Sequence, residues 1–154
     1  MKIRIIAIAK KSRAWVAEGE QDFLERLQNF TQLRVELISP ADENSLEVLK
    51  VKKIEAEKIL TKLAADEFVI ACERQGSTFD SLVFAQKIGE LRDSSQKICF
   101  VIGGSNGLSE EILRRANLQI SFSKLTFPHE LFRLLLLEQI YRAFTILTNR
   151  KYHK

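Results

Sequence analysis

Phe100-Val101-Ile102-Gly103-Gly104-Ser105-Asn106-Gly107-Leu108-Ser109 is an apolar run that breaks into glycines and then meets Glu110 and Glu111. An unrelieved apolar segment of this length reads as a strand buried on both faces, and the acids after Ser109 mark the first turn of a helix. Outward from it the pattern repeats. Lys2 to Ala9, Leu33 to Ile38, Phe68 to Cys72 and Leu118 to Phe122 are short and apolar, as strands are. Between them, helical spacing runs over Trp15 to Phe30, Leu46 to Leu63, Asp80 to Leu91 and Glu110 to Ala116, with a last long helix from about His129 to Thr148. Regular strand and helix alternation predicts an α/β fold, a mainly parallel sheet with helices on both faces, in one domain over 1–154. The strand order is not legible in this pattern. Sheets of this kind bind ligands at the carboxyl ends of their strands, which makes the loops after Cys72, Ile102 and Phe122 the informative ones.

The glycines after Ile102 free the backbone for positive φ and for close approach of a ligand. They do not form a dinucleotide fingerprint: the spacing is not G-x-G-x-x-G, there is no G-K-[ST], and two acids in the next helical turn would compete with a phosphate. A tight turn without a ligand stays open. The stretch Ser121-Phe122-Ser123-Lys124-Leu125-Thr126-Phe127-Pro128-His129 is predicted to be extended up to Pro128, which restricts Phe127 and suits a helix start. Its free backbone groups could read the edge of an adenine ring; His129 at the helix start is equally a packing residue. In the last helix Leu131, Phe132, Leu134 to Leu137, Ile140, Tyr141, Phe144 and Leu147 go almost all the way round. Either a subunit interface or wrapping by the same chain would bury it so. Glu138 and Arg142, four apart, are a helix ion pair or a charged pair facing a ligand.

The formal net charge is +4, from 24 basic and 20 acidic residues, a mild vote for a polyanionic partner. Basic residues bunch at Lys10-Lys11-Ser12-Arg13 and at Asn149 to Lys154, where they are either solvated surface or phosphate contacts. The opening Met1-Lys2-Ile3-Arg4 enters a strand without the apolar core of a signal peptide, and the longest apolar run, Leu134 to Leu137, is too short to span a bilayer. Cys72 and Cys99 lack neighbours at metal-ligand spacing and read as buried thiols. The expectation is a cytoplasmic protein in a reducing compartment, with no metal and no membrane partner.

Taken in order, Ile102-Gly103-Gly104-x-x-Gly107-Leu108-Ser109, Ser123 to His129, Leu137-x-Gln139-x-Tyr141-Arg142-Ala143 and Tyr152-His153-Lys154 resemble the RlmH family, bacterial ribosomal RNA large-subunit methyltransferases of the SPOUT superfamily. The likeness spans essentially the whole chain and includes the opening strand. It implies a C-terminal trefoil knot, which no local pattern predicts, a homodimer, and S-adenosyl-L-methionine as cofactor. It also implies methylation of N3 of a pseudouridine in helix 69 of 23S rRNA on the assembled ribosome. Carried over residue by residue, the cofactor pocket is Cys72, Gly103, Phe122, Ser123, Lys124, Leu125, Thr126 and Phe127. The chain departs from the family at Cys72 (commonly Leu), at Ser105 (commonly Pro), at Ser77 (commonly Lys) and at Lys154 (commonly Arg).

Methyl transfer to an imide nitrogen needs that nitrogen's proton to leave, hence a base or a cationic stabiliser of the developing negative charge. The candidates are His153 as base or proton relay, Tyr152 as its hydrogen-bonding or base-stacking partner, and Arg142 as charge stabiliser. Two other readings compete. A flavodoxin-like module would carry a phosphate loop after the first strand, where Ala9 to Arg13 has no glycine. A non-catalytic ribosome-binding or RNA-binding protein would keep the basic loops without needing the glycine loop and the Ser123 to His129 segment together.

Overall fold

The computed structural model describes residues 1–153; Lys154, with its departure from the family pattern, lies outside them. Five strands and five helices alternate along the chain: β1 Lys2–Ile8, α1 Ala14–Leu27, β2 Gln32–Ile38, α2 Val48–Leu60, β3 Glu67–Thr78, α3 Ser81–Asp93, β4 Lys97–Ile102, α4 Glu110–Arg115, β5 Leu118–Ser121 and α5 His129–Leu147. All five strands pair parallel in the order β2-β1-β4-β3-β5. Elements fall within a few residues of where periodicity places them, with one exception. β3 continues to Thr78, well past Cys72.

The strands are apolar on both faces because both are covered. Ile3, Ile5 and Ala7 of β1 and Ile98, Phe100 and Ile102 of β4 point to the side covered by α1, α3 and α5. Ile6, Ile8, Cys99 and Val101 point to the side covered by α2 and α4. Burying each such side chain contributes on the order of 2 kcal/mol, so these two layers hold the sheet together. Pattern at period two thus becomes a three-layer sandwich.

α5 lies over the sheet between α1 and α3. No residue from His129 to Leu147 is fully exposed: Leu136, Leu137, Ile140 and Phe144 are buried within the chain, while Leu131, Phe132, Leu134, Leu135, Tyr141 and Leu147 are half-buried. On the α1 side this helix carries Arg133, 1% exposed, whose Nε donates to Glu20 at 2.6 Å and whose Nη2 donates to the Ser12 hydroxyl. One turn earlier Glu130 accepts from the Arg13 backbone N–H at 3.0 Å. The basic loop Lys10 to Arg13 is thereby tied to the first turn of α5, while Lys10, Lys11 and Arg13 stay exposed.

Beyond Cys72 the ladder between β3 and β5 slips: Ile120 pairs with Cys72 and again with Ser77. The residues between leave the sheet, and the chain returns at Gly76, where an added side-chain carbon would stand 2.7 Å from the backbone of Gln119 and Ile120. Contacts that short are not available to a real carbon, and backbone cannot rotate away. Gly76→Ala is expected to force β5 off β3 and lower stability by about 2 kcal/mol or more, read as a fall in the urea midpoint; an unchanged midpoint would show that the strands separate freely.

Candidate active site

The carboxyl ends of β3, β4 and β5 face one another across an open cleft of about 380 Å³. The three loops that the sheet rule singled out form its walls. From β3 come Cys72, Glu73 and Arg74; from the loop after β4 come Gly103 to Gly107; from the loop after β5 come Phe122, Ser123, Leu125, Thr126 and Phe127; and α5 closes one end with His129 and Phe132. Seven of the eight residues carried over for the cofactor line this cleft. Lys124 does not; it is exposed.

The glycine loop is a closed turn. Gly107 N–H donates to Gly104 carbonyl at 2.9 Å, and Gly107 has φ +75°, the left-handed region that glycine tolerates. Gly104 is packed from behind: a carbon added there would meet a Glu55 carboxylate oxygen at 2.8 Å and Ile8 at 3.0 Å. The Ser105 hydroxyl donates to Glu43, so the serine that replaces the family's proline ties this turn to the segment before α2. Ser109 then caps α4 by accepting from Ile112 N–H at 3.3 Å.

The loop after β5 holds itself with its serines. Ser121 hydroxyl donates to the Ser123 carbonyl at 3.0 Å, and Ser123 hydroxyl accepts from Leu125 N–H at 2.9 Å. Phe122 packs on Phe132 with ring centroids 4.9 Å apart. These contacts give the cleft an apolar floor and a rim of backbone groups, the combination that holds a flat heterocycle. Burial drives the Cys72 thiol far above its usual range and pushes Cys99 up to about 12, so neither is a thiolate nucleophile.

The three candidate catalytic residues meet elsewhere. Arg142 Nε and Nη2 donate to Glu138 Oε1 at 3.0 and 2.5 Å. Tyr152 hydroxyl donates to the same oxygen at 3.2 Å, the Arg142 guanidinium lies 4.8 Å from the Tyr152 ring centre, and Arg142 Nη1 lies 3.3 Å from His153 Nδ1. Guanidinium can only donate, so Nδ1 accepts and the ring proton sits on Nε2. Burial and Glu138 push the Tyr152 hydroxyl above its ordinary range, which keeps it protonated. Tyr152 therefore bonds to Glu138 and stacks under Arg142 instead of bonding to His153.

This cluster does not line the cleft. Along α5, Arg142 follows His129 by 13 positions, a rise of roughly 20 Å. Sequence reasoning put the cofactor residues in loops before the last helix and the catalytic candidates on its far end and in the tail, without showing that the two sets lie apart. It also passed over Glu73, Arg74, Asn106 and Phe132; the first two directly follow Cys72, where the carboxyl-end rule already pointed.

Glu55, behind the glycine turn, is buried and accepts from Ala41 N–H at 3.1 Å. Burial raises its carboxyl pKa above the usual range. A raised folded value means that the ionised form is disfavoured on folding, so stability rises as pH falls through the folded pKa and levels off below the unfolded one. Glu55→Gln keeps an acceptor for Ala41 and removes the charge. It is expected to melt higher than the parent at pH 7.5, with the advantage shrinking as pH falls to 4; a difference that does not vary with pH would remove the charge argument.

Comparison with known proteins bears on what the cleft is for. A family profile described as predicted SPOUT methyltransferase matches residues 1–153. The chain is 44% identical to the ribosomal RNA large subunit methyltransferase H of Carboxydothermus hydrogenoformans and 40% identical to that of Bacillus pumilus, each alignment covering all of both proteins. Among solved structures it is similar to a probable methylase family protein of Haemophilus influenzae, with TM-score 0.57 and 21% identity over 99% of this chain and 70% of the other. It is also similar to a ribosomal RNA small subunit methyltransferase E of Neisseria gonorrhoeae bound to S-adenosyl methionine, with TM-score 0.53 and 11% identity over 96% and 67%. At those identities the two structures speak to the fold alone.

Proposed function

Because the chain belongs to the SPOUT methyltransferases, within the ribosomal RNA large subunit methyltransferase H family, we propose that it methylates N3 of a pseudouridine in helix 69 of 23S rRNA on the assembled ribosome. The observation that carries this reading is the single cleft at the carboxyl ends of β3, β4 and β5, which gathers seven of the eight residues expected to hold S-adenosylmethionine. Its apolar walls at Cys72, Ile102, Ile120 and Phe122 and the backbone of Ser123 to Phe127 suit an adenosine. When bound, S-adenosylmethionine supplies an activated methyl group. Family membership also carries the expectation of a trefoil knot around the β5 to α5 passage.

The chain's own task is to orient the target base and favour loss of the imide proton. Arg142 and the His153 Nε2–H are both donors, and together they stabilise the negative charge that grows on the imide as its proton leaves to solvent. Glu138 and Tyr152 hold the guanidinium in place. The fixed tautomer thus shifts His153 from general base to charge stabiliser. Reacting groups must come within about 3 Å of one another, and roughly 15 Å of helix rise separates Arg142 from Phe132, the nearest cleft residue on α5. We therefore infer a homodimer in which the tail of one copy completes the cleft of the other.

Two measurements test this. His153→Ala is expected to cut turnover on ribosomes at least a hundredfold while leaving S-adenosylmethionine binding intact by calorimetry; full activity would remove His153 from the chemistry. Mixed with a variant whose cleft is blocked at Gly103, that inactive mutant should regain activity, since one heterodimer site is then whole. No recovery on mixing would place cleft and tail in the same copy.

Substrate grip is assigned to the exposed Lys10, Lys11 and Arg13 and to the basic tail. Each phosphate contact releases counterions, so ribosome affinity should fall steeply between 50 and 200 mM salt, by roughly tenfold or more for a few contacts. A flat salt response would shift recognition away from charge. Membership of an rRNA methyltransferase family supports action at the cytoplasmic ribosome; among the described residues no helix is long and apolar enough to cross a membrane.

A further inference from the structure

Glu73 lines the cleft, is half-buried and has no partner among the described residues. Glu20, Glu36, Glu55, Glu67, Glu130 and Glu138, the other acids that are not fully exposed, each hold a cation or a backbone N–H. Among the described residues nothing does so for Glu73, which sits where β3 leaves the ladder after Cys72. Its Oε2 lies 3.9 Å from where a side-chain carbon on Gly107 would be, so the carboxylate faces the inner side of the glycine turn. Removing a carboxylate partly from water without a counter-charge is unfavourable. The arrangement is balanced when the occupant of the cleft brings the positive charge.

Resting on the S-adenosylmethionine reading above, we infer that Glu73 receives the α-ammonium group of the cofactor's methionine arm. That molecule has two cationic centres, and only the ammonium has N–H donors for a charge-assisted hydrogen bond; the sulfonium has none. Glu73 is then the group that distinguishes an adenosine with an amino-acid arm from adenosine derivatives without one. Of the other titratable side chains on the cleft wall, Arg74 and His129 are basic and Cys72 is a buried neutral thiol, so none offers this contact.

The test is calorimetric titration of the full-length protein and of Glu73→Gln with three ligands. S-adenosylmethionine carries both cations, S-adenosylhomocysteine the ammonium alone, and 5′-methylthioadenosine neither. The Gln variant is expected to bind the first two about tenfold or more weakly and the third as well as the parent does; Glu73→Asp, which retains the charge, should lose less. Three results overturn the assignment: no change for the first two ligands, a loss confined to S-adenosylmethionine, which would point to the sulfonium, or an equal loss for all three, which would mark a distorted cleft. A parent protein that binds none of them overturns the cofactor reading itself. Binding by the parent with an indifferent Gln variant overturns only the role of Glu73.

Discussion

Ile120 of β5 pairs with two residues of β3, Cys72 and Ser77, and the site follows from that double engagement. A strand cannot face two registers unless the chain between them leaves the sheet, so Glu73 to Gly76 are pushed out at the carboxyl edge. β5 still approaches closely because Gly76 has no side chain to hold it off. Glu73 and Arg74 of that excursion form one wall of a cleft whose other walls are the glycine turn after β4 and the serine-braced loop after β5. Loss of that pairing would flatten the edge on which the ligand-facing groups sit.

α5 connects this cleft to the rest of the molecule. Its first turn presents His129 and Phe132 to the cleft and, on another side, Glu130 and Arg133 to the basic loop after β1. A buried arginine is an expensive anchor, tolerated when its partners have good geometry, and here it holds the loop assigned to RNA contacts at a fixed position beside the cofactor-facing turn. The far end of the same helix builds the Glu138, Arg142, Tyr152 and His153 cluster. One rigid element therefore holds this cluster apart from the cleft, which is the separation the proposed dimer would bridge.

Much of this was legible residue by residue. Apolar runs and turn residues locate the strand ends, the carboxyl-end rule singles out the loops after Cys72, Ile102 and Phe122, and these loops do surround one cleft. The apolar girth of α5 is legible too; α1 and α3 cover part of it and leave Leu131, Leu134 and Leu135 half-buried. Lys124 and Tyr152 show the limit. Motif position alone cannot tell a side chain that faces a cleft from its neighbour that faces solvent, nor predict that a tyrosine beside a histidine will bond to a glutamate on the previous helix.

The sequence by itself determined the order and type of the elements, the α/β class and the three loops, because period-two and period-3.6 burial are local properties written along the chain, and its motifs carried the resemblance to the family. Only the tertiary structure decided the strand order, the slip that exposes Glu73, the separation of tail from cleft and the guanidinium on His153 Nδ1. Each of these depends on groups far apart in sequence meeting at a definite register, and apolar periodicity specifies which face is buried without specifying against what.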